Sequence, residues 1–145
     1  MKIIKYLIQF IIICIFYVIF KIIGVKLSSF LSGKLFEIIG PIFRSKKIIN
    51  NNIKKAFPDY NSKELNKIKS SMWNNYGRVF AEYLYMKNFR NGSLSKNISI
   101  DGKDILLNIK DQNQRVIFIS GHFSNFELMA MQIDKIGIKI GAIYR

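Results

Sequence analysis

Residues 115–127 read RVIFISGHFSNFE, and they contain a change from one predicted type of secondary structure to another. The stretch starts with a short, mainly apolar run, Arg115 to Ile119, which has the pattern of a buried β-strand. Apolar residues then recur at helical spacing through residues 126–136. His122, the sole histidine of the sequence, therefore falls where a strand ends and a helix begins. In open α/β sheets, ligands bind at that position.

The segments on either side extend this pattern into an alternating order. Residues 98–100 are predicted to form a short strand, residues 104–110 a helix, and residues 138–144 a last strand. With the strand and helix of residues 115–136 between them, the order becomes β-α-β-α-β. This order predicts the α/β class, with a parallel sheet and right-handed crossover connections.

The N-terminal segment from Ile3 to Ile23 is almost wholly apolar and is interrupted by Lys5, Gln9 and Lys21. Its length suits a membrane-spanning helix if the lysine side chains extend toward the headgroups. No small-x-small cleavage site follows it, which favours an uncleaved anchor over a cleaved signal peptide. Basic residues are more numerous after the segment than before it, so the positive-inside rule places the remainder in the cytoplasm.

Helices are also predicted between this anchor and the sheet. Residues 27–39 have the pattern of an amphipathic helix, and the sequence leaves open whether it lies on the membrane or against the domain. Residues 44–57 are predicted to form a polar, basic helix. Asn61 then fits an N-cap with Glu64 as its capping-box partner, and it opens a helix that runs to about Met86.

The formal charge of the chain is +14, from 23 lysines and arginines against 9 acidic residues. Such an excess favours an anionic membrane surface, an acidic partner or nucleic acid, although part of it reflects a general richness in isoleucine, lysine and asparagine. The aromatic residues of the predicted helix 61–86 keep helical spacing, which indicates core packing. No nucleic-acid partner is therefore predicted.

The cysteine and histidine content limits the chemistry of the chain. The single cysteine, Cys14, excludes an intrachain disulfide and lies in the apolar segment, where a thiol is typically inert. One histidine and one cysteine do not suffice for the usual metal-ligand sets. No metal site and no cofactor are predicted.

Residues 121–127, GHFSNFE, closely resemble the His-x4-Asp/Glu signature of glycerolipid-type acyltransferases. In the late acyltransferases of lipid A biosynthesis, this block usually reads Gly-His-Phe-Gly-Asn-Trp-Glu. The chain departs from that block by Ser124 in place of glycine and Phe126 in place of tryptophan. The apolar N-terminal segment, residues 52–58 (NIKKAFP) and residues 142–145 (AIYR) fit the same family.

The resemblance implies a late acyltransferase of the lauroyl/myristoyl type in the cell inner membrane, single-pass, with its catalytic part facing the cytoplasm. It implies acyl-carrier protein as the acyl donor and a 3-hydroxyacyl chain on a phosphorylated glucosamine disaccharide as the acceptor. A basic surface would suit both of these anionic partners. The family's sequences continue beyond this point. We therefore expect residues 1–23 to be the anchor and residues 24–145 to be the N-terminal part of a truncated cytoplasmic domain, inactive by itself.

The resemblance also implies roles for individual residues. His122 would be the general base, and Glu127 would orient its ring and stabilise the imidazolium. Asn125 would orient the loop or touch substrate, and Arg145 would pair with a substrate phosphate. Simpler alternatives stay open: Glu127 could form a capping box with Ser124, and Arg145 could be solvated.

Two other functions also stay open at this point. One is a lipid acyltransferase with the same motif that acts on a glycerophospholipid or on a mannosylated inositol lipid. The other is a non-catalytic, membrane-anchored interaction module, which the expected truncation makes a real alternative. Acyl transfer with a purified donor and several acceptors distinguishes these functions.

Overall fold

The computed structural model describes residues 2–141, and it divides the chain into two compact units, Met1–Leu84 and Tyr85–Arg145. All regular structure within residues 2–141 is helical. The α-helices are α1 (Lys2–Phe43), α2 (Lys46–Ala56), α3 (Ser62–Glu82), α4 (Met86–Asn91), α5 (Lys103–Asp111) and α6 (Glu127–Ile136). Short 3-10 helices lie at Tyr83–Tyr85 and Ser95–Asn97.

α1 is broken at Gly24, whose φ of 79° and ψ of 166° lie outside the helical region. Glycine reaches positive φ without the steric cost that a side chain would add. The Ser28 hydroxyl lies within hydrogen-bond distance of two carbonyl oxygens beside the break, 2.9 Å from that of Phe20 and 2.7 Å from that of Gly24. The Ser28 hydroxyl therefore stabilises the break and fixes its position in the helix.

By length and composition, α1 is the one helix within residues 2–141 that could cross a membrane. Its most apolar 18-residue window has a mean hydropathy of 2.6, and only 6% of that window is buried. Lys21, near the end of the apolar segment, places its Nζ 5.8 Å from the ring centre of Tyr17. These features are consistent with membrane association, whereas the predicted division into residues 1–23 and 24–145 stays a prediction.

The second half of α1, residues 25–43, packs against α3 through a line of small residues that we call the α1–α3 seam. The seam consists of buried Ser28, Ser29, Ser32, Gly33 and Gly40 on α1 and of buried Gly77 and Ala81 on α3. A Cβ on Gly77 would lie 2.3 Å from the carbonyl oxygen of Ser32, so the two backbones approach too closely for a side chain there. The Ser29 hydroxyl donates a hydrogen bond of 2.9 Å to the Glu82 carboxylate.

The predicted capping box at the start of α3 is confirmed. The Asn61 side chain accepts hydrogen bonds from the backbone N–H groups of Lys63 and Glu64, at 2.9 and 3.1 Å. In return, the Glu64 carboxylate accepts the N–H of Asn61 at 2.8 Å. The helix itself ends at Glu82, so the predicted continuous helix to Met86 is interrupted by the 3-10 turn.

In the C-terminal unit, α4 and α5 both contact α6. The Arg90 guanidinium and the Asp134 carboxylate form an ion pair of 2.6 Å, and the Lys135 ammonium donates a hydrogen bond to the carbonyl oxygen of Arg90. Ile133 of α6 is only 4% exposed and lies at the centre of this packing.

The predicted β-α-β-α-β sheet is wrong for the residues that the structure describes. Residues 98–100, 115–119 and 138–141 belong to no strand. Residues 142–144, the remainder of the last predicted strand, lie outside the described part of the chain. The α/β class is therefore replaced by a helical fold over residues 2–141.

The physical reason for this correction is that an apolar run becomes a strand only when another strand binds its backbone N–H and C=O groups. No segment within residues 2–141 pairs in this way with residues 116–119. Ile117 and Ile119 are accordingly 90% and 93% exposed. The predicted helices 104–110 and 126–136, which supply their own hydrogen bonds, are confirmed as α5 and α6.

Candidate active site

His122 is the central residue of a three-residue turn in front of α6. The backbone N–H of Phe123 donates a hydrogen bond of 2.8 Å to the carbonyl oxygen of Gly121 across this turn. That bond pattern defines a γ-turn. A Cβ on Gly121 would lie 2.3 Å from the Phe123 ring, so glycine here provides space for that ring. The turn leaves His122 exposed to solvent.

The ring of Phe126 packs against the His122 imidazole. The ring centres are 4.3 Å apart and the planes meet at 66°, an edge-to-face arrangement. Phe126 is half-buried and immediately precedes α6, so it holds the imidazole beside the start of that helix. Phe126 was predicted only as an apolar residue of the helix and not as part of the site. Its spacing of four residues from His122, and the tryptophan usual at this position in the family block, are the signals that point to it.

Glu127 is the first residue of α6 and is half-buried. A carboxylate in the first turn is favoured by the partial positive charge of a helix N-terminus. The ring contact of His122 is with Phe126, and within residues 2–141 no hydrogen bond or ion pair joins His122 to Glu127. Hydrogen bonds between catalytic groups are often long in free enzymes, and the predicted pair stays a prediction.

The alternative role for Glu127, a capping box with Ser124, is not formed. The N-cap of α6 is Phe126 with no side-chain cap hydrogen bond, and Glu127 is therefore the first helical residue instead of the third. Ser124 has a φ of 48°, in the left-handed region, which costs a residue with a side chain about 1 kcal/mol. Glycine, usual at this position in the family block, adopts that conformation without the cost.

The remaining predicted site residues are Asn125 and Arg145. Asn125 is half-buried. Its backbone carbonyl oxygen accepts a hydrogen bond of 3.2 Å from the backbone N–H of Leu128, at the start of α6. Arg145 lies outside the described residues. His122, Asn125 and Glu127 thus share one turn and the start of one helix. Across residues 2–141, no group of three or more histidine, cysteine or acidic side chains could hold a metal.

Comparison with known proteins identifies the family. No curated protein and no solved structure was found to match the chain. The family model described as bacterial lipid A biosynthesis acyltransferase matches residues 1–145, the whole sequence. This match includes both the apolar N-terminal helix and the turn that presents His122. The chain therefore belongs to the bacterial lipid A biosynthesis acyltransferase family.

Proposed function

We propose that this protein transfers a fatty acyl chain from acyl-carrier protein to a hydroxyl of a lipid A precursor, as a late acyltransferase of the lauroyl/myristoyl type. The observation that carries the proposal is the family match over residues 1–145. The exposed histidine in the turn before α6 is a side chain that could act as the base in acyl transfer. The acceptor is the hydroxyl of a 3-hydroxyacyl chain on a phosphorylated glucosamine disaccharide. A charge of +14 favours both partners, since the carrier and the acceptor are anionic.

His122 serves as the general base in this reaction. The acceptor hydroxyl oxygen attacks the carbonyl carbon of the thioester while the imidazole takes the hydroxyl proton. The carbon–sulfur bond then breaks, and the thiolate of the carrier leaves with the proton returned by the imidazolium. The products are an ester and a free thiol, and the imidazole is neutral again. Histidine suits both steps because its charge changes between pH 5 and 8.

Glu127 supplies a negative charge that stabilises the imidazolium as it forms. Phe126 restricts the imidazole to one side of the α6 N-terminus through the 4.3 Å ring contact. The ring therefore has fewer positions to sample before it meets the Glu127 carboxylate. Asn125 orients the turn or contacts the acceptor, and Arg145 pairs with a phosphate of the acceptor. The acceptor hydroxyl thereby meets the His122 base, which Glu127 stabilises when it is charged, and the acceptor phosphate meets the Arg145 guanidinium.

The proposed location is the cell inner membrane, as a single-pass protein anchored by residues 1–23, of which residues 2–23 lie on α1. The support is the exposed apolar surface of this half of α1, together with the larger number of basic residues that follow it. Since positively charged flanks stay on the cytoplasmic side, the catalytic part faces the cytoplasm. A reporter that works only in the cytoplasm is expected to be active when fused after the catalytic part. A reporter that works only in the periplasm is expected to be inactive at the same position.

The test is acyl transfer in detergent by residues 1–145 together with the sequence that follows them in this family, because residues 1–145 are predicted to be inactive by themselves. The acyl donors are lauroyl and myristoyl thioesters of acyl-carrier protein. Three acceptors are compared: the lipid A precursor, the same precursor lacking the 3-hydroxyl groups, and a glycerophospholipid. Ester formation with the first acceptor alone is the expected result, and His122→Gln is expected to abolish it. Preferential acylation of the glycerophospholipid would make the protein a different lipid acyltransferase. No transfer to any acceptor by folded protein would favour the interaction module.

A further inference from the structure

The second half of α1 turns several large apolar side chains outward, although Phe36 packs against Phe80 of α3. Leu27, Phe30 and Leu31 are 44–47% exposed, while Ile38 and Ile42 are 75% and 80% exposed. We call these five residues the outer apolar stripe. They recur at intervals of three, four and seven residues, so they share one face of the helix. The opposite face carries the small residues of the α1–α3 seam.

The outer face of a helix packed on a soluble domain is usually polar, whereas the outer face of this helix is apolar. A contiguous exposed apolar surface of this kind marks contact with a partner or a membrane. The stripe begins three residues after the break at Gly24, in the same helix as the apolar residues 2–23. Continuity with a segment suited to the bilayer favours lipid over a protein partner.

Basic residues lie at both ends of the stripe, and one lies between its members. Lys26 precedes it, and Arg44 and Lys46 follow it, all exposed. Lys34 lies in the middle, 54% exposed, with its Nζ 3.1 Å from the Glu37 carboxylate. Cations placed around an apolar helix face are typical of helices that lie in the membrane interface, where they attract anionic headgroups.

We propose that residues 25–43 form a second membrane contact, lying in the interface of the bilayer that residues 2–23 cross. The outer apolar stripe enters the boundary between headgroups and acyl chains, and the α1–α3 seam faces away from the lipid and carries α3. The break at Gly24 permits the change of direction between the two halves. This contact goes beyond acyl transfer and rests on the membrane attachment proposed above.

The test places a bimane fluorophore on single cysteines in the full-length protein. Cys14 is first replaced by serine, and Leu31→Cys, Ile38→Cys or the control Ser71→Cys is then introduced; Ser71 is exposed on α3. The protein is embedded in nanodiscs of phosphatidylethanolamine and phosphatidylglycerol. At positions 31 and 38, we expect quenching by doxyl-labelled lipid, and iodide quenching at least about tenfold weaker than at position 71.

The competing outcomes are distinct. Iodide quenching at positions 31 and 38 equal to that at 71 would overturn the proposal. Shielding of both positions from iodide and from doxyl lipid would also overturn it, because a protein surface would then cover the stripe.

The native Cys14 separates this contact from the anchor itself. Cys14 is exposed on the apolar half of α1 and is labelled in the unsubstituted protein. Lipid quenching at Cys14, combined with iodide access at positions 31 and 38, would retain the anchor and reject the interfacial contact. Iodide access at all three positions would reject both.

Discussion

The two units of this protein differ in how far local sequence determines their structure. In the N-terminal unit, the capping box at Asn61 and the basic helix α2 form as the sequence predicts, and close packing of small residues joins α1 to α3. In the C-terminal unit, α5 and α6 form as predicted, but the apolar residues 116–119 are exposed and pair with no other segment of residues 2–141. A helix finds its hydrogen-bond partners within four residues, whereas a strand depends on a remote segment. Local pattern is therefore sufficient evidence for the first kind of element and insufficient for the second.

The largest expected effect concerns the chemistry carried by the C-terminal unit. Glu127→Gln keeps the shape of the side chain and removes the negative charge that would stabilise the imidazolium. Acyl transfer is expected to fall about 10²–10⁴-fold. The melting temperature should fall only slightly, because Glu127 belongs to no capping box and the variant loses only the interaction of a carboxylate with the helix N-terminus, about 0.3–1 kcal/mol. Steady-state turnover and thermal unfolding of the full-length variant measure the two effects.

His122→Ala is the matched comparison for this variant. The loss of turnover is expected to be similar, and the double variant should lose little more than either single one, because groups that act as a unit are not additive. Near-normal turnover of Glu127→Gln would show that Glu127 is not the partner of His122.

The second prediction tests the packing of the N-terminal unit. Gly77→Ala places a Cβ 2.3 Å from the Ser32 carbonyl oxygen, so α1 and α3 must separate. The free energy of unfolding is expected to fall by about 1–3 kcal/mol, measured by denaturant unfolding in detergent. Gly141→Ala is the control, since a Cβ there meets no atom of residues 2–141 within 4 Å. Equal losses for the two variants would mean that the close approach of the helices does not matter.

The third prediction compares a capping box that forms with one that does not. Asn61→Ala removes a side chain that accepts two backbone N–H groups, and about 1 kcal/mol of stability should be lost. Ser124→Ala should leave stability unchanged, because Ser124 caps no helix. A loss at Ser124 as large as that at Asn61 would indicate that the Ser124–Glu127 box forms in solution.

The smallest expected effect is a pH dependence at Glu37. The pKa of this carboxyl lies below its ordinary value of 4.5, mainly because the Lys34 ammonium donates a hydrogen bond to it, with a further hydrogen bond from Asn74. A lowered pKa in the folded state gives stability that is present above 4.5 and is lost as the pH falls through the folded value. Melting temperatures of wild type and Glu37→Gln should therefore differ slightly at pH 7 and converge in acid. A constant difference across this range would contradict the assignment.

The candidate site was predictable to the extent that it is local. His122, Asn125 and Glu127 fall within six residues, so the motif alone places them on one turn and one helix start. The ring contact of Phe126, and the left-handed conformation of Ser124 that shifts the helix start to Glu127, depend on three-dimensional packing and backbone strain. Composition and periodicity do not report these quantities.

The packing of α1 was likewise beyond what composition and periodicity could predict. The sequence identified residues 27–39 as amphipathic but not which face packs on the protein. Burial of the small-residue face became clear only from α3, whose Gly77 and Ala81 accept the close approach of α1.

The break at Gly24 has a consequence for the match between protein and bilayer. If residues 2–23 of α1 cross the bilayer as proposed, this part of the helix is about 33 Å long, close to the hydrocarbon thickness of about 30 Å. The Ser28 hydroxyl, bonded beside the carbonyls of Phe20 and Gly24, holds the break at one place in the helix. A thinner or thicker bilayer cannot be matched by shifting the bend along the chain. The hydrophobic mismatch is taken up instead by tilt of the span or by local deformation of the lipid.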